Sequence, residues 1–521
     1  MRAELLPAAV ALVLVALAVP VILAGPGGAA LVLALLGLVF ACAVIAAMLR
    51  MGGSAQSRGL KDSLRSGSFR DARSRALSYL LSRAYRWIRT EPPGDGTLPA
   101  AALLRHALTF GLLDRALLLA VIYPLFTMLL FWGTTGQNVI LGQTIVISTA
   151  SPWWTGPLAL AVIALIAGGP HYITIGERHM RGTLKSVAGY LDLIAFGVGG
   201  TILIYMDFPW FTTSAILAVS FAALWAFSGF LAGVPAMAVA TMLALTGPLG
   251  LALQSLLPGP AAFFAATVIA LVSALVYLIA VDAFRSRNSA DTAGALALCI
   301  PVAATIATVI FVPIGETGEW SNAIRIGILV LIVAPVVNAV FDVISFAVTL
   351  AFVQRGQQGN AFFWALADIA VALLTFMAAG STLICTTVAL DWLSGTPFID
   401  LEILLDSTWN ISRYWWLYLM LFSTLLPSIV HVGITALSLQ ALTPMRWREN
   451  LCARIDAARA GKTWPRVSTP LVLGALWTGC LALVFGAIAG ALMVLWNLGL
   501  AWSVVWYRQW LELLAFWGGG V

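Results

Sequence analysis

"VVNAVFDVISFAVTLAFVQRG", residues 336–356, is long and apolar enough to lie across a bilayer, yet it carries Asp342 near its middle. A hydrocarbon core of roughly 30 Å takes about 20 helical residues, so the apolar run at 323–351 reads as a membrane-spanning helix. Asn338, Asp342, Ser345 and Thr349 recur at intervals of four, three and four residues, which puts all of them on one helical face. An aspartate deep in a bilayer costs about 2.5–3.5 kcal/mol on insertion scales. It is therefore expected inside a bundle, in a wet cavity or beside a partner.

The next apolar run, 361–390, follows the short polar connection "VQRGQQGN" (353–360) and repeats the pattern with Asp368, Ala372, Thr375, Ala379, Thr382 and Thr386. Two helices joined so tightly are antiparallel. Counted from the turn at 1.5 Å per residue, Asp342 and Asp368 lie at depths of roughly 16 and 12 Å, so the two carboxylates are expected to meet across the hairpin. That arrangement suits proton or cation binding. The competing expectation is that both acids are hydrogen-bonded to Asn338, Ser345 and the threonines and only hold helices together.

The whole chain has the same character. Its 521 residues are 61% hydrophobic and 10% charged, with a mean hydropathy of +0.98, whereas soluble domains carry about 25% charged residues. The five cysteines are scattered without a repeated spacing, so neither a disulfide framework nor a cysteine metal site is expected. Apolar runs fall at 5–24, 29–48, 115–133, 155–170, 187–206, 214–233, 235–257, 260–281, 294–313, 323–351, 361–390, 414–441 and 469–490, with an amphipathic candidate at 494–517. The expected fold is all-α, a polytopic integral membrane bundle of about 13–14 transmembrane helices with no sizeable soluble domain. The two N-terminal runs are separated only by "GPGG", and each is long enough to span, so they read as a retained hairpin rather than a cleaved leader.

Charge orients the chain. With the N-terminus cytoplasmic, the inner connections 50–114, 171–186, 282–293, 353–360 and 442–468 hold nearly every Lys and Arg. The outer ones, 207–213, 314–322 and 391–415, are acidic or neutral apart from Arg413 and rich in Trp. The positive-inside rule and the aromatic belt thus agree, and the net charge of +6 reads as an orientation signal in a bacterial inner membrane. The organisation expected is a transmembrane hairpin at 1–49, a basic cytoplasmic segment at 50–114, the main bundle at 115–441, a basic cytoplasmic loop at 442–468 and a C-terminal hairpin at 469–521.

Within the basic segment, 69–89 is expected to be an amphipathic helix, with Phe69, Ala72, Ala76, Leu80, Ala84 and Trp87 on its apolar side and arginines mostly elsewhere. Such a helix lies on an anionic inner leaflet or packs against the bundle. A protein partner at 50–114 is the rival expectation, and nucleic acid is not expected, because basic residues alone are weak evidence for it.

Signatures of enzyme chemistry are sparse. "GKT" at 461–463 lacks the glycine a phosphate loop needs, since Asp456 stands there. "HYITIGERHMR" (171–181) groups His171, Glu177, Arg178, His179 and Arg181 at an inner membrane edge without metal-ligand spacing. Arg178, Arg181 and His179 are the candidates for gripping a phosphate or lipid head group. No cofactor and no metal site is expected.

Three classes of function follow. The first is a transporter or ion-conducting protein whose carboxylates Asp342, Asp368 and Asp192, with Asn338, Ser345 and Thr375, line a polar track for protons or cations. Asp192 stands in the glycine-rich run at 187–206, whose "FGVGG" would form a broken, movable helix. The second is a non-catalytic membrane subunit or effector docking a soluble partner through 50–114. The third is a membrane-embedded enzyme acting on a lipid-linked substrate at the cytoplasmic face.

Overall fold

The computed structural model describes, with short gaps, residues 61–147, 325–394 and 421–518, together with scattered positions between 237 and 303 and at 399, 401 and 405. The spans expected at 5–24, 29–48, 155–170, 187–206 and 214–233 lie outside the described residues, as do Asp192 and the 171–181 cluster.

The described residues are almost wholly helical. Helix α1 is Phe69–Trp87, where the amphipathic helix is expected. The Ser68 hydroxyl accepts the Asp71 N–H at 3.1 Å, and Asp71 and Arg86 complement the helix dipole at the two ends. Its buried side is Ala72, Arg73, Leu77, Leu81 and Tyr85, rotated from the expected stripe, and Trp87 is partly exposed. The pattern misleads because Arg73 behaves as an inward residue: its apolar stem is buried and its guanidinium donates to the Thr435 hydroxyl at 3.4 Å. Burial lowers its affinity for its proton relative to an exposed arginine.

A short helix, α2, spans Ala100–Ala107, and α3 runs Phe110–Thr135 over the expected 115–133 span. Thr109 caps α3 by accepting the Leu112 N–H, and Gly136, at φ 67°, ends it by returning its N–H to Trp132. One short extended element interrupts this otherwise helical structure. Val139–Leu141 (β1) and Thr144–Ile147 (β2) form an antiparallel hairpin, with Ile140 opposite Ile145 and Leu141 opposite Thr144. Its β-branched residues favour extended pairing over helix.

A π turn at Leu329–Val333 leads into α4, Ala334–Gln358. Pro335 has no N–H to give the preceding turn, and the widened turn sits just upstream of it. Helix α5 is Ala361–Ser394. Helix α6, Leu426–Leu437, is flanked by 3-10 turns at Ser423–Leu425 and Ser438–Leu442, and Pro427 stands in its first turn, where proline is tolerated. Residues 442–468, expected to be a loop, contain helix α7, Met445–Arg459. Helix α8 is Thr463–Leu495, followed by a kinked π turn at Trp496–Leu500 and by α9, Ala501–Gly518. The kink is at Gly499, whose φ of 127° a side chain would resist.

Among the described residues, four helices are long and apolar enough to cross a membrane: Leu329–Gln357, Phe363–Ser394, Ser423–Leu442 and Ser468–Gly499. They coincide with four of the expected spans and are consistent with a membrane protein.

The chain divides into two compact units. The first comprises Met1–Ala84, Phe352–Ala367 and Ser428–Ser503. Its described core is Leu64, Leu451, Cys452, Ile455 and Leu473, which explains why 445–459 is helical: Leu451 and Ile455 stand one turn apart on a buried face. Lys61 and Asp456 pair at 2.7 Å, and Arg448 donates to the Leu64 carbonyl at 3.2 Å. The second unit comprises Tyr85–Ala351, Asp368–Pro427 and Val504–Val521. In it Ala334, Ala379 and Leu421 pack with Phe341, Phe376 and Leu383. The α9 side chains Tyr507 and Trp510 donate to the Met377 carbonyl at 2.7 Å and the Ser381 hydroxyl at 3.2 Å, and Gly380 leaves room for Tyr507. Trp87 rests on Phe346 at 5.7 Å between ring centroids, under the Arg115 guanidinium.

Candidate functional site

The stripe expected on the 323–351 span is a buried face of α4. Asn338, Asp342, Ser345 and Thr349 are each no more than 5% exposed, although the helix carrying them is otherwise apolar. Each finds a polar partner in the second unit, and those partners come from two different places in the sequence.

Asp342 sits with Asn338, one turn earlier, and with Ser423 of the 3-10 turn before α6. The Asn338 amide nitrogen donates to Asp342 Oδ2 at 3.1 Å and to Ser423 Oγ at 2.7 Å. The Ser423 hydroxyl lies 3.0 and 2.9 Å from the two carboxylate oxygens, able to donate to either. All three are buried. Among the described residues, the partners of this carboxylate are neutral. Asn338 Oδ1 is buried and has no hydrogen-bond partner among the described residues, which usually costs about 1–3 kcal/mol.

One turn on, the Ser345 hydroxyl donates to the Thr424 backbone carbonyl, and Thr424 Oγ1 donates to the Leu421 carbonyl at 2.8 Å. The 3-10 turn therefore offers backbone acceptors that a continuous α-helix would have closed on itself. Two turns beyond Asp342, the Thr349 hydroxyl donates to Asp368 Oδ1 at 2.7 Å.

Each of the two carboxylates has a hydroxyl partner of its own. Asp342 is held by Asn338 and Ser423, while Asp368, 2% exposed, is held by Thr349. Thr349 is seven residues past Asp342, about 10 Å along the helix axis. The hydroxyl partners of the two acids thus engage the α4 stripe at two levels, Ser423 at Asp342 and Thr349 for Asp368. Thr375 stands apart from both: its hydroxyl donates to its own helix at Val371, 2.7 Å away. His179, Arg178, Arg181 and Asp192 lie outside the described residues.

Ser423 and Thr424 are the residues a reading of the chain by spans passes over. Their signal is local: "STLLPS" (423–428) puts two hydroxyls, a proline and another serine together in an otherwise apolar run, the composition of an interrupted helix.

Buried acids on membrane-length helices, a hydroxyl-rich helix break beside them and an otherwise apolar chain are together consistent with a helical membrane protein. The chain matches no protein-family model, and no curated protein or solved structure resembles it at a significant level.

Proposed function

We propose that the protein is a polytopic membrane transporter or ion-conducting protein, with Asp342 as its principal ion-binding group and Asp368 as a second station. The observation that carries this reading is Asp342 itself, a carboxylate 5% exposed on a membrane-length helix whose partners are a serine and an asparagine. A lone negative charge at that depth needs a cation or a proton, and an intramembrane acid so placed is a functional group by default. A merely structural polar contact is made more cheaply by Ser or Thr, as Ser345 does with Thr424. The remaining spans of a bundle of about 13–14 helices, and an inner-membrane location with the N-terminus cytoplasmic, complete the reading on the charge asymmetry of the connections.

Helix α1 supports a second element of it. Arg70, Arg75 and Arg86 are exposed while Leu77 and Leu81 are buried, so the helix keeps a basic outer side for an anionic leaflet or a soluble partner.

The test is ion flux against pH in reconstituted vesicles for wild type, Asp342→Asn and Asp368→Asn. Asparagine keeps the shape and most hydrogen bonds but cannot ionise. A folded Asp342→Asn protein whose flux and pH profile match wild type rejects the transport role of this carboxylate.

A further inference from the structure

We infer that Asp342, Ser423 and Asn338 form a site for a dehydrated monovalent cation of sodium size, in which the Asn338 amide holds the cation's place when the site is empty. The inference rests on the transport reading and names its ion.

The geometry comes first. The Asn338 amide head, Ser423 Oγ and an Asp342 carboxylate oxygen form a triangle with edges of 2.7, 2.9 and 3.1 Å. Oxygen ligands about 3 Å apart are what a small hard cation gathers: calcium, close to sodium in radius, keeps its oxygens at about 2.3–2.6 Å. An ion about 2.4 Å from three such atoms sits roughly 1.7 Å above their plane, so the triangle does not have to open to receive it. Carboxylate, hydroxyl and amide oxygens are all ligands of this class, and the neighbouring 3-10 turn is the kind of helix break beside which transporters coordinate cations.

Charge selects the valence. Among the described residues the cluster holds one carboxylate, Asp368 being about two turns away with Thr349. One negative charge in a dry site balances a monovalent ion, whereas divalent sites usually collect more carboxylate.

Asn338 then explains itself. Its N–H groups now point at the carboxylate and the hydroxyl, placing a partial positive charge beside where a cation would sit, while Oδ1 is buried and unpartnered among the described residues. Turning the amide end for end brings Oδ1 into the triangle as a ligand. A proton would need only one carboxylate oxygen and one acceptor, and so would leave the three-sided arrangement without a purpose.

The test uses the full-length protein in detergent micelles, with radioactive sodium as the probe and proton release or uptake followed in parallel with a pH indicator. Wild type is expected to bind sodium saturably, Asp342→Asn to lose binding, and Ser423→Ala and Asn338→Leu to weaken it about tenfold or more. Should Ser423→Ala fail to fold, judged by helical content and gel filtration, Ser423→Cys keeps the volume and removes the hard oxygen, and the same loss is expected. Sodium binding that is unchanged in a folded Ser423 variant overturns the site. Asp342-dependent proton uptake with no sodium binding overturns the sodium assignment and leaves the transport reading standing. Binding of neither ion by the folded protein overturns both.

Discussion

Two of the four membrane-length helices are equally apolar and could hardly sit more differently. In Leu329–Gln357, 61% of the most apolar window is buried, and the same helix carries the Asn338–Thr349 stripe; in Ser468–Gly499 that share is 0%. Hydropathy measures how gladly a helix leaves water, and it does not say whether lipid or protein receives it. What separates the two is the distribution of small exceptions. The buried helix places polar groups at a period that keeps them on one face and pairs them with hydroxyls elsewhere. The open one has glycines at Gly479, Gly486 and Gly490, and a Cβ at any of these would meet nothing within 4 Å.

The contrast is tested most strongly by adding an acid to the open helix. Leu483 is 66% exposed, so if lipid lies against it, Leu483→Asp should raise the apparent insertion free energy of that segment, making insertion less favourable, by about 2.5–3.5 kcal/mol in a glycosylation-reporter assay. Insertion indifferent to the aspartate would mean that this face meets water or protein.

Steric substitutions come next and are read from thermal unfolding in detergent. Ala339 is fully buried, and Ala339→Leu should destabilise by about 1–3 kcal/mol through overpacking. Gly486→Ala, into open space, should instead stabilise by up to about 1 kcal/mol through helix propensity. Equal responses at the two sites would erase the distinction between a packed and an open helix.

Hydroxyls sharpen it further. Ser345→Ala removes a bond to the Thr424 carbonyl and should cost about 1 kcal/mol, whereas Thr478→Val removes a buried hydroxyl that has no partner and should cost nothing or stabilise slightly.

How far the sequence led can be told from these same residues. The extents of α4 and α5 and the burial of Asn338, Asp342, Ser345 and Thr349 follow from length and periodicity, because both are properties of a single helix. Which hydroxyl faces which acid is a matter of rotation and offset between helices, and nothing local encodes it. For that reason Asp368 is found with Thr349 and Asp342 with Ser423. Helix α7 was hidden for another reason: its charged residues read as a cytoplasmic loop, while the Leu451–Ile455 pair that buries it is only one turn long. Arg73 rotated the expected face of α1 because a long cation can be buried along its stem.

Near pH 8 the smallest change is expected at a buried polar atom of the same kind as Asn338 Oδ1. Tyr85, on α1 and outside the membrane-length helices, has a fully buried hydroxyl without a hydrogen-bond partner among the described residues, and burial pushes its pKa up to about 12. A group whose pKa is higher in the folded than in the unfolded state stabilises fully below the unfolded value, about 10 for tyrosine, and loses that contribution as pH rises towards the folded value. The wild-type protein should therefore lose stability between about pH 10 and 12, by roughly 1–2 kcal/mol after allowance for structural relaxation. Tyr85→Phe removes both the titration and the orphaned hydroxyl. It should be neutral or about 1 kcal/mol more stable than wild type near pH 8, and its alkaline decline should be shallower. The measurement is the unfolding midpoint of the two proteins from pH 8 to 12. If Tyr85→Phe is instead clearly less stable at pH 8, the hydroxyl has a partner after all. The same suspicion then falls on Asn338 Oδ1, the atom that most directly asks for a cation beside Asp342.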